Sequence, residues 1–300
     1  MSVVENIPKG IAYAVATALV GSTAGAASKF ISADVPVPVI VLVQYLICLL
    51  LMLPWLCRRT LADFKTARPG AHFVRGITGW LCFFTYYQSL SYIPLVDATL
   101  LRSTAPLFVP LVVWLWLKRV VPGRAWLPMI IGFAGVTLIL RPDVDGVSQW
   151  HLVGLASGLM LAFSMVGTRT LSTTEAPSLI LFYYFLISFL CSIPMAVSHW
   201  QAIPLWTLPY LAYVGISITL AMWLYTRAYS FARASVVSPI NYTSVVFSGF
   251  LGWMIWAHTP DGMAIMGMLC VIAAGLLSIF INKAKSVKEQ PEKEKLAAAK

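Results

Sequence analysis

Apolar stretches of about twenty residues recur almost from one end of this chain to the other. "VIVLVQYLICLLLML" (Val39 to Leu53) is typical of them. At ~1.5 Å of rise per residue, a helix of that length crosses ~30 Å of hydrocarbon. Of the 300 residues, 59% are hydrophobic and only 11% carry a charge, too few to keep a soluble protein of this size dissolved. A transmembrane barrel would alternate apolar and polar residues, and these runs do not. The expected fold class is therefore an all-α integral membrane protein. Its spans lie near 10–30, 36–56, 71–92, 94–117, 124–141, 150–171, 177–198, 205–229, 234–256 and 262–282. "STAGAAS" (Ser22 to Ser28) after the first run also fits a cleavable signal peptide. It equally supplies the small residues that close helix packing needs, as do Gly21/Gly25 and Gly154/Gly158.

The net charge of +10 is explained by its distribution. With the N-terminus cytoplasmic, most basic residues fall on the inside, among them Lys9, Arg58, Arg59, Lys65, Arg68, Arg75, Lys118, Arg119, Arg124, Arg169, Arg227 and Arg233. The lysines of the polar tail 283–300 join them, while Lys29 and Arg141 lie outside. This is the positive-inside bias, so both termini are expected in the cytoplasm and nucleic acid is not an expected partner. The five cysteines show no CxxC spacing. Neither a disulfide framework nor a metal site follows, and no cofactor is expected.

The chain also repeats itself. "YYQSLSYIPLVDATLLRSTAPLFVPLVVWLWLKR" (Tyr86 to Arg119) runs parallel to "LYTRAYSFARASVVSPINYTSVVFSGFLGWMIWAH" (Leu224 to His258). Each passes from an aromatic helix end through a short turn into a tryptophan-rich helix, and a glycine-bearing span follows. Residues 1–145 and 146–282 thus read as two five-helix repeats. Five is odd, so the second repeat enters the membrane inverted relative to the first. The expected architecture is ten transmembrane helices around a central cavity, a transporter arrangement.

"SYIPLVDATLLRSTAPLFVPL" with "GFAGVTLILRP", and "AYSFARASVVSPINYTSVVFSGFLGW" with "GMLCVIAAGLL", resemble the EamA-type branch of the drug/metabolite transporter superfamily over roughly residues 10–282. The resemblance implies a multi-pass carrier of the cell inner membrane that moves small metabolites, commonly amino acids or related compounds and often outward. It implies a small-molecule substrate, a lipid surround and a monomer or homodimer. Family members usually carry a glutamate after each Trp/Leu-rich span, where this chain has Lys118 and His258.

Within the spans, Arg102 is the conspicuous charge. It lies ~12 Å into its span from Pro94, near the midplane, where an arginine costs about 2.5–3.5 kcal/mol to insert. Asp97, five residues earlier, is ~140° away around the helix and does not share its face. Asp97 is read as an acid favoured at a helix start, or as a coupling or gating group. Arg102 is read as a clamp on backbone carbonyls freed by Pro106, or as a cavity residue offering its planar fork to a carboxylate or phosphate. In register with the repeat, Ile240 would stand opposite it. Polar and aromatic stripes extend the candidate substrate surface: Trp80, Phe84, Tyr87 and Gln88 on span three, Ser157 and Ser164 on span six, Tyr184 on span seven, Asn241 and Ser244 on span nine. Such residues either glue helices together or line a cavity. An intramembrane enzyme would need paired acids, a Ser/His pair or helical metal ligands, and none appears. A receptor or assembly subunit is the remaining alternative; uptake of a nucleoside-like or adenosyl metabolite is the alternative within transport.

Overall fold

A computed structural model describes residues 6–118, 123, 126–140, 148–172, 174–231, 240, 242–259, 261–274 and 276–277. Regular structure there is helical throughout. In chain order the helices are α1 (Ile7–Ile31), α2 (Val37–Leu56), α3 (Pro69–Leu90), α4 (Leu95–Arg102), α5 (Ala105–Leu117), α6 (Trp126–Leu140), α7 (Gln149–Leu171), α8 (Pro177–Ser198), α9 (Leu208–Phe231), α10 (Thr243–Trp256) and α11 (Gly262–Ala274). Six segments among the described residues, with α4 and α5 taken as one, are long and apolar enough to span a membrane. The 22-residue α3 matches them in length but carries a more polar face. Proline sets several starts, where its missing N–H costs nothing: Pro38 in the first turn of α2, and Pro69 and Pro177 at the heads of α3 and α8.

The inverted repeat is visible in which helices touch. Let α1, α2, α3 and α4–α5 correspond to α7, α8, α9 and α10. The packing of α3 on α7 then mirrors that of α1 on α9, α3 on α8 mirrors α2 on α9, and α4 on α7 mirrors α1 on α10. The pairs α2–α8 and α4–α10 map onto themselves. Local features follow the same rule. A single 3₁₀ turn precedes α3 (Leu61–Phe64) and α9 (Leu205–Thr207). Pro54 lies near the end of α2 and Pro194 near the end of α8. Both α5 and α10 stop at a residue in the left-handed conformation, Lys118 (φ 49°) and Ala257 (φ 53°). Ala257, not His258, is therefore the counterpart of Lys118. Counting back from the two caps puts position 241, rather than Ile240, in register with Arg102.

Burial is arranged for lipid. Leu50, Trp114, Ile130, Val197, Trp206, Val246, Phe250 and Leu269 are exposed on outer faces, whereas Ser157, Ser188 and Ser248 are fully buried. In hydrocarbon the apolar residues need no cover and the polar ones must find partners inside.

The fourth span departs from the single helix expected over 94–117. It is broken at Ser103–Thr104, between α4 and α5. Pro106 has no N–H for the carbonyl of Arg102, and the helical ladder stops there. Hydroxyls close the gap: Ser103 Oγ donates to the Thr99 carbonyl (2.7 Å) and Thr104 Oγ1 to that of Leu101 (2.6 Å). Helix α7 lies directly on the break. A Cβ at Gly158 would stand 2.6 Å from the Leu101 carbonyl oxygen and 2.6 Å from Thr104 Oγ1, so only glycine allows this approach.

Candidate functional site

The break makes Arg102 the last residue of a short helix, where the negative end of the helix dipole favours a cation. Its guanidinium is centred 4.5 Å from the Phe83 ring and 4.8 Å from the Tyr86 ring, with Cys82 also beside it. Each aromatic contact is worth about 0.5–2 kcal/mol, so the two offset much of the insertion cost. They do not satisfy its hydrogen-bonding capacity: Nε is buried without a partner. No carboxylate among the described residues forms an ion pair with Arg102. Asp97 lies instead in the field of Lys29. Lys29 Nζ donates to the carbonyls of Leu90 (2.5 Å) and Ile93 (2.8 Å) at the end of α3.

Beside Arg102 runs a belt of buried tyrosines. Tyr87 donates its hydroxyl to Gln44 Oε1 (2.6 Å), while Gln44 Nε2 is buried without a partner. The hydroxyls of Tyr45 and Tyr184 are 2.9 Å apart, and that of Tyr86 is 3.0 Å from Thr99 Oγ1. Arg75 then lies over Tyr184, its guanidinium 3.9 Å from the ring centroid. Grouped above with the basic residues of the inner segments, Arg75 is in fact only 6% exposed. It is a second arginine inside the bundle, a correction to its placement among the inner segments.

The two ends of the bundle differ. Where α1, α3 and α10 finish, a cavity of about 480 Å³ opens among Lys29, Ser91, Tyr92, Pro94, Trp256 and His258. At the other end, polar contacts bind the halves together. Thr66 Oγ1 donates to Glu175 Oε1 (2.7 Å), Tyr183 donates its hydroxyl to the Phe64 carbonyl (2.6 Å), and Arg68 donates to the Thr170 carbonyl (3.0 Å). His72 Nε2 stands 4.0 Å from the same Glu175 oxygen, both side chains buried.

Of the residues named from sequence, Tyr87 and Tyr184 join the belt next to Arg102 and Arg75. Trp80 and Phe84 stack on each other (5.8 Å, 24°) at its edge, and Gln88 is half-buried one turn further along. Ser157 donates to the Gly154 carbonyl of its own helix (2.6 Å), and Ser164 is buried on the same helix. Ser244 is on α10, where its carbonyl accepts from Ser22 (3.0 Å). Asn241 lies outside the described residues. Sequence reasoning missed Gln44, Tyr45, Arg75 and the His72–Glu175 pair. A glutamine amid "VIVLVQYLIC" was the available signal for the first of these.

The sequence profile described as "EamA-like transporter family" matches twice, over residues 8–141 and 148–280. The chain belongs to the EamA-like transporter family. Relatives span nearly the same length. It is 29% identical to the pseudopaline exporter of Pseudomonas aeruginosa, over 91% of this chain and 96% of that one. To the riboflavin transporter of Vibrio cholerae it is 27% identical, over 93% of each. To an S-adenosylmethionine uptake transporter of Rickettsia bellii it is 25% identical, over 78% of this chain and 80% of the other. A crystal structure 13% identical in sequence superposes with a TM-score of 0.61 over 92% of this chain and 96% of that one, a likeness of fold alone. EamA-like membership makes this a multi-pass membrane protein of a transporter family, not a member of an enzyme family.

Proposed function

We propose that this EamA-like protein is an alternating-access exporter of amino acids or related small metabolites, and that Arg102 receives their carboxylate. One observation carries this reading: a guanidinium at membrane depth, over the rings of Phe83 and Tyr86, keeps a buried Nε without a partner and forms no ion pair with an acid among the described residues. A carboxylate meeting that fork would gain two parallel charge-assisted hydrogen bonds and neutralise the charge. The similarity to an exporter over nearly the whole chain supports the outward direction. The protein is placed in the inner membrane with both termini cytoplasmic. The 480 Å³ cavity is then an outer vestibule, and the Thr66–Glu175 end is the inner gate.

Uptake or exchange of a nucleoside-like metabolite is the second reading. The stacked Trp80–Phe84 pair favours it, since such surfaces hold planar rings, and two relatives are transporters of S-adenosylmethionine and riboflavin. Flux assays in proteoliposomes loaded with amino acids or with nucleosides separate the two. Counterflow of amino acids supports the first reading, and nucleoside-only flux overturns it.

A further inference from the structure

Arg75 and Arg102 share a surface. Arg75, Gly79, Phe83 and Tyr86 follow one another at spacings of four, four and three residues, which keeps them within ~80° on one face of α3. Arg102 lies against the Phe83–Tyr86 end of that stripe, and Arg75 folds back along it to Gly79. A Cβ at Gly79 would stand 2.7 Å from Arg75 Nη1 and 2.4 Å from Tyr184 Cε2, so the glycine makes the notch in which both lie. From the level of Gly79 to that of Phe83 and Tyr86 is ~6–10 Å along the helix axis. Cys82, on the same helix, lies in the field of both Arg102 and Tyr184, the ring over which Arg75 sits.

The two arginines are alike in what they lack. Arg75 uses Nε to donate to Thr168 Oγ1 (2.5 Å) and leaves Nη1 buried without a partner. Arg102 leaves Nε in that condition. Neither forms an ion pair with a carboxylate among the described residues; Glu175 accepts from Thr66 instead. Two desolvated like charges on one face repel each other, and hydrophobic or neutral polar residues would hold α3, α7 and α8 together at lower cost.

We infer that Arg75 is a second substrate-binding residue, and that the preferred substrate carries two anionic groups, one for each guanidinium. This rests on the reading of Arg102 as a carboxylate receptor and adds the class of substrate: a small amino diacid with its acids several ångströms apart. The Thr168 bond holds the guanidinium of Arg75 in place while Nη1 lies at the Gly79 notch.

The test uses the full-length protein in detergent, with a series of α-amino diacids from aspartate to α-aminopimelate, their ω-amides, and a monoacid with its amide. Wild type should bind at least one diacid on the order of tenfold more tightly than its ω-amide, the increment expected of one charge-assisted contact. Arg75→Gln should reduce that ratio to about one while keeping the preference for the monoacid over its amide; Arg75→Lys should restore part of the ratio. Thr168→Val, which removes the anchor but not the charge, should lower the ratio only in part. The inference is overturned if wild type shows no diacid preference, if Arg75→Gln keeps it, or if Arg75→Lys restores none of it. The underlying reading of Arg102 fails separately, if Arg102→Ala leaves the monoacid-over-amide preference unchanged.

Discussion

An arginine at membrane depth is tolerated only when its surroundings repay desolvation, and the protein uses aromatic faces to do so. Phe83 and Tyr86 flank Arg102, and Tyr184 carries Arg75. Lysine would keep the charge but lose both the planar stacking and the fork. Arg102→Lys should therefore weaken substrate binding by about tenfold or more, measured by ligand-induced thermal stabilisation of the purified protein. Asp97 tells a different story. It lies in the first turn of α4 and in the field of Lys29, the place expected of a helix-start acid. Asp97→Asn should leave transport and its response to an imposed pH gradient nearly intact in proteoliposomes; loss of the gradient response with binding retained would make Asp97 the coupling group. Arg102 was legible in sequence because a charge at the centre of an apolar run has no inexpensive explanation. Arg75 was not, because a basic residue two turns from a span end is equally compatible with reaching out to headgroups. Only the notch at Gly79 and the ring of Tyr184 reveal that it turns inward. The serine stripe shows a different ambiguity. Ser157 satisfies its hydroxyl on its own helix, so a polar stripe need not imply a cavity.

At the scale of elements, length and apolar content set the spans, and α1 to α3 and α6 to α9 begin and end within a few residues of the runs read from sequence. What periodicity hid was the division of the fourth span, because apolar residues continue through the break and only Pro106 marks it. The broken segment puts a helix end and a charge at one depth, and α7 seals it through Gly158. Gly158→Ala should destabilise the protein by about 1–3 kcal/mol through overpacking against backbone, seen as a lowered melting temperature. Gly249→Ala on α10, where a Cβ meets only Val96 at 3.6 Å, is the matched control and should melt close to wild type. Equal melting of the two variants would show that α7 can withdraw from the break without cost.

At the scale of the whole molecule, the two-fold relation in helix packing coexists with asymmetry in chemistry. One end holds an open cavity, while the other is tied across the halves by Thr66 with Glu175 and by Tyr183 with the Phe64 carbonyl. If the halves rock against each other, those ties must part in each cycle. Cysteines replacing Thr66 and Glu175 in a cysteine-free background, bridged by a short thiol cross-linker, should stop transport, and a reductant-cleavable linker should allow recovery. Continued flux in the bridged protein would place the moving interface elsewhere. The positive-inside bias predicts that cysteines at positions 34 and 261 react with impermeant maleimide in whole cells; labelling at 63 instead would invert the topology. All of this serves the claim that a substrate carboxylate meets Arg102 on its way between the halves. The direct measurement is the affinity for an amino acid against its neutral amide, in wild type and in Arg102→Ala. Wild type is predicted to prefer the acid, and the variant, still inserted and monodisperse, to bind acid and amide alike; an unchanged preference in the variant would make Arg102 a structural clamp and contradict the account.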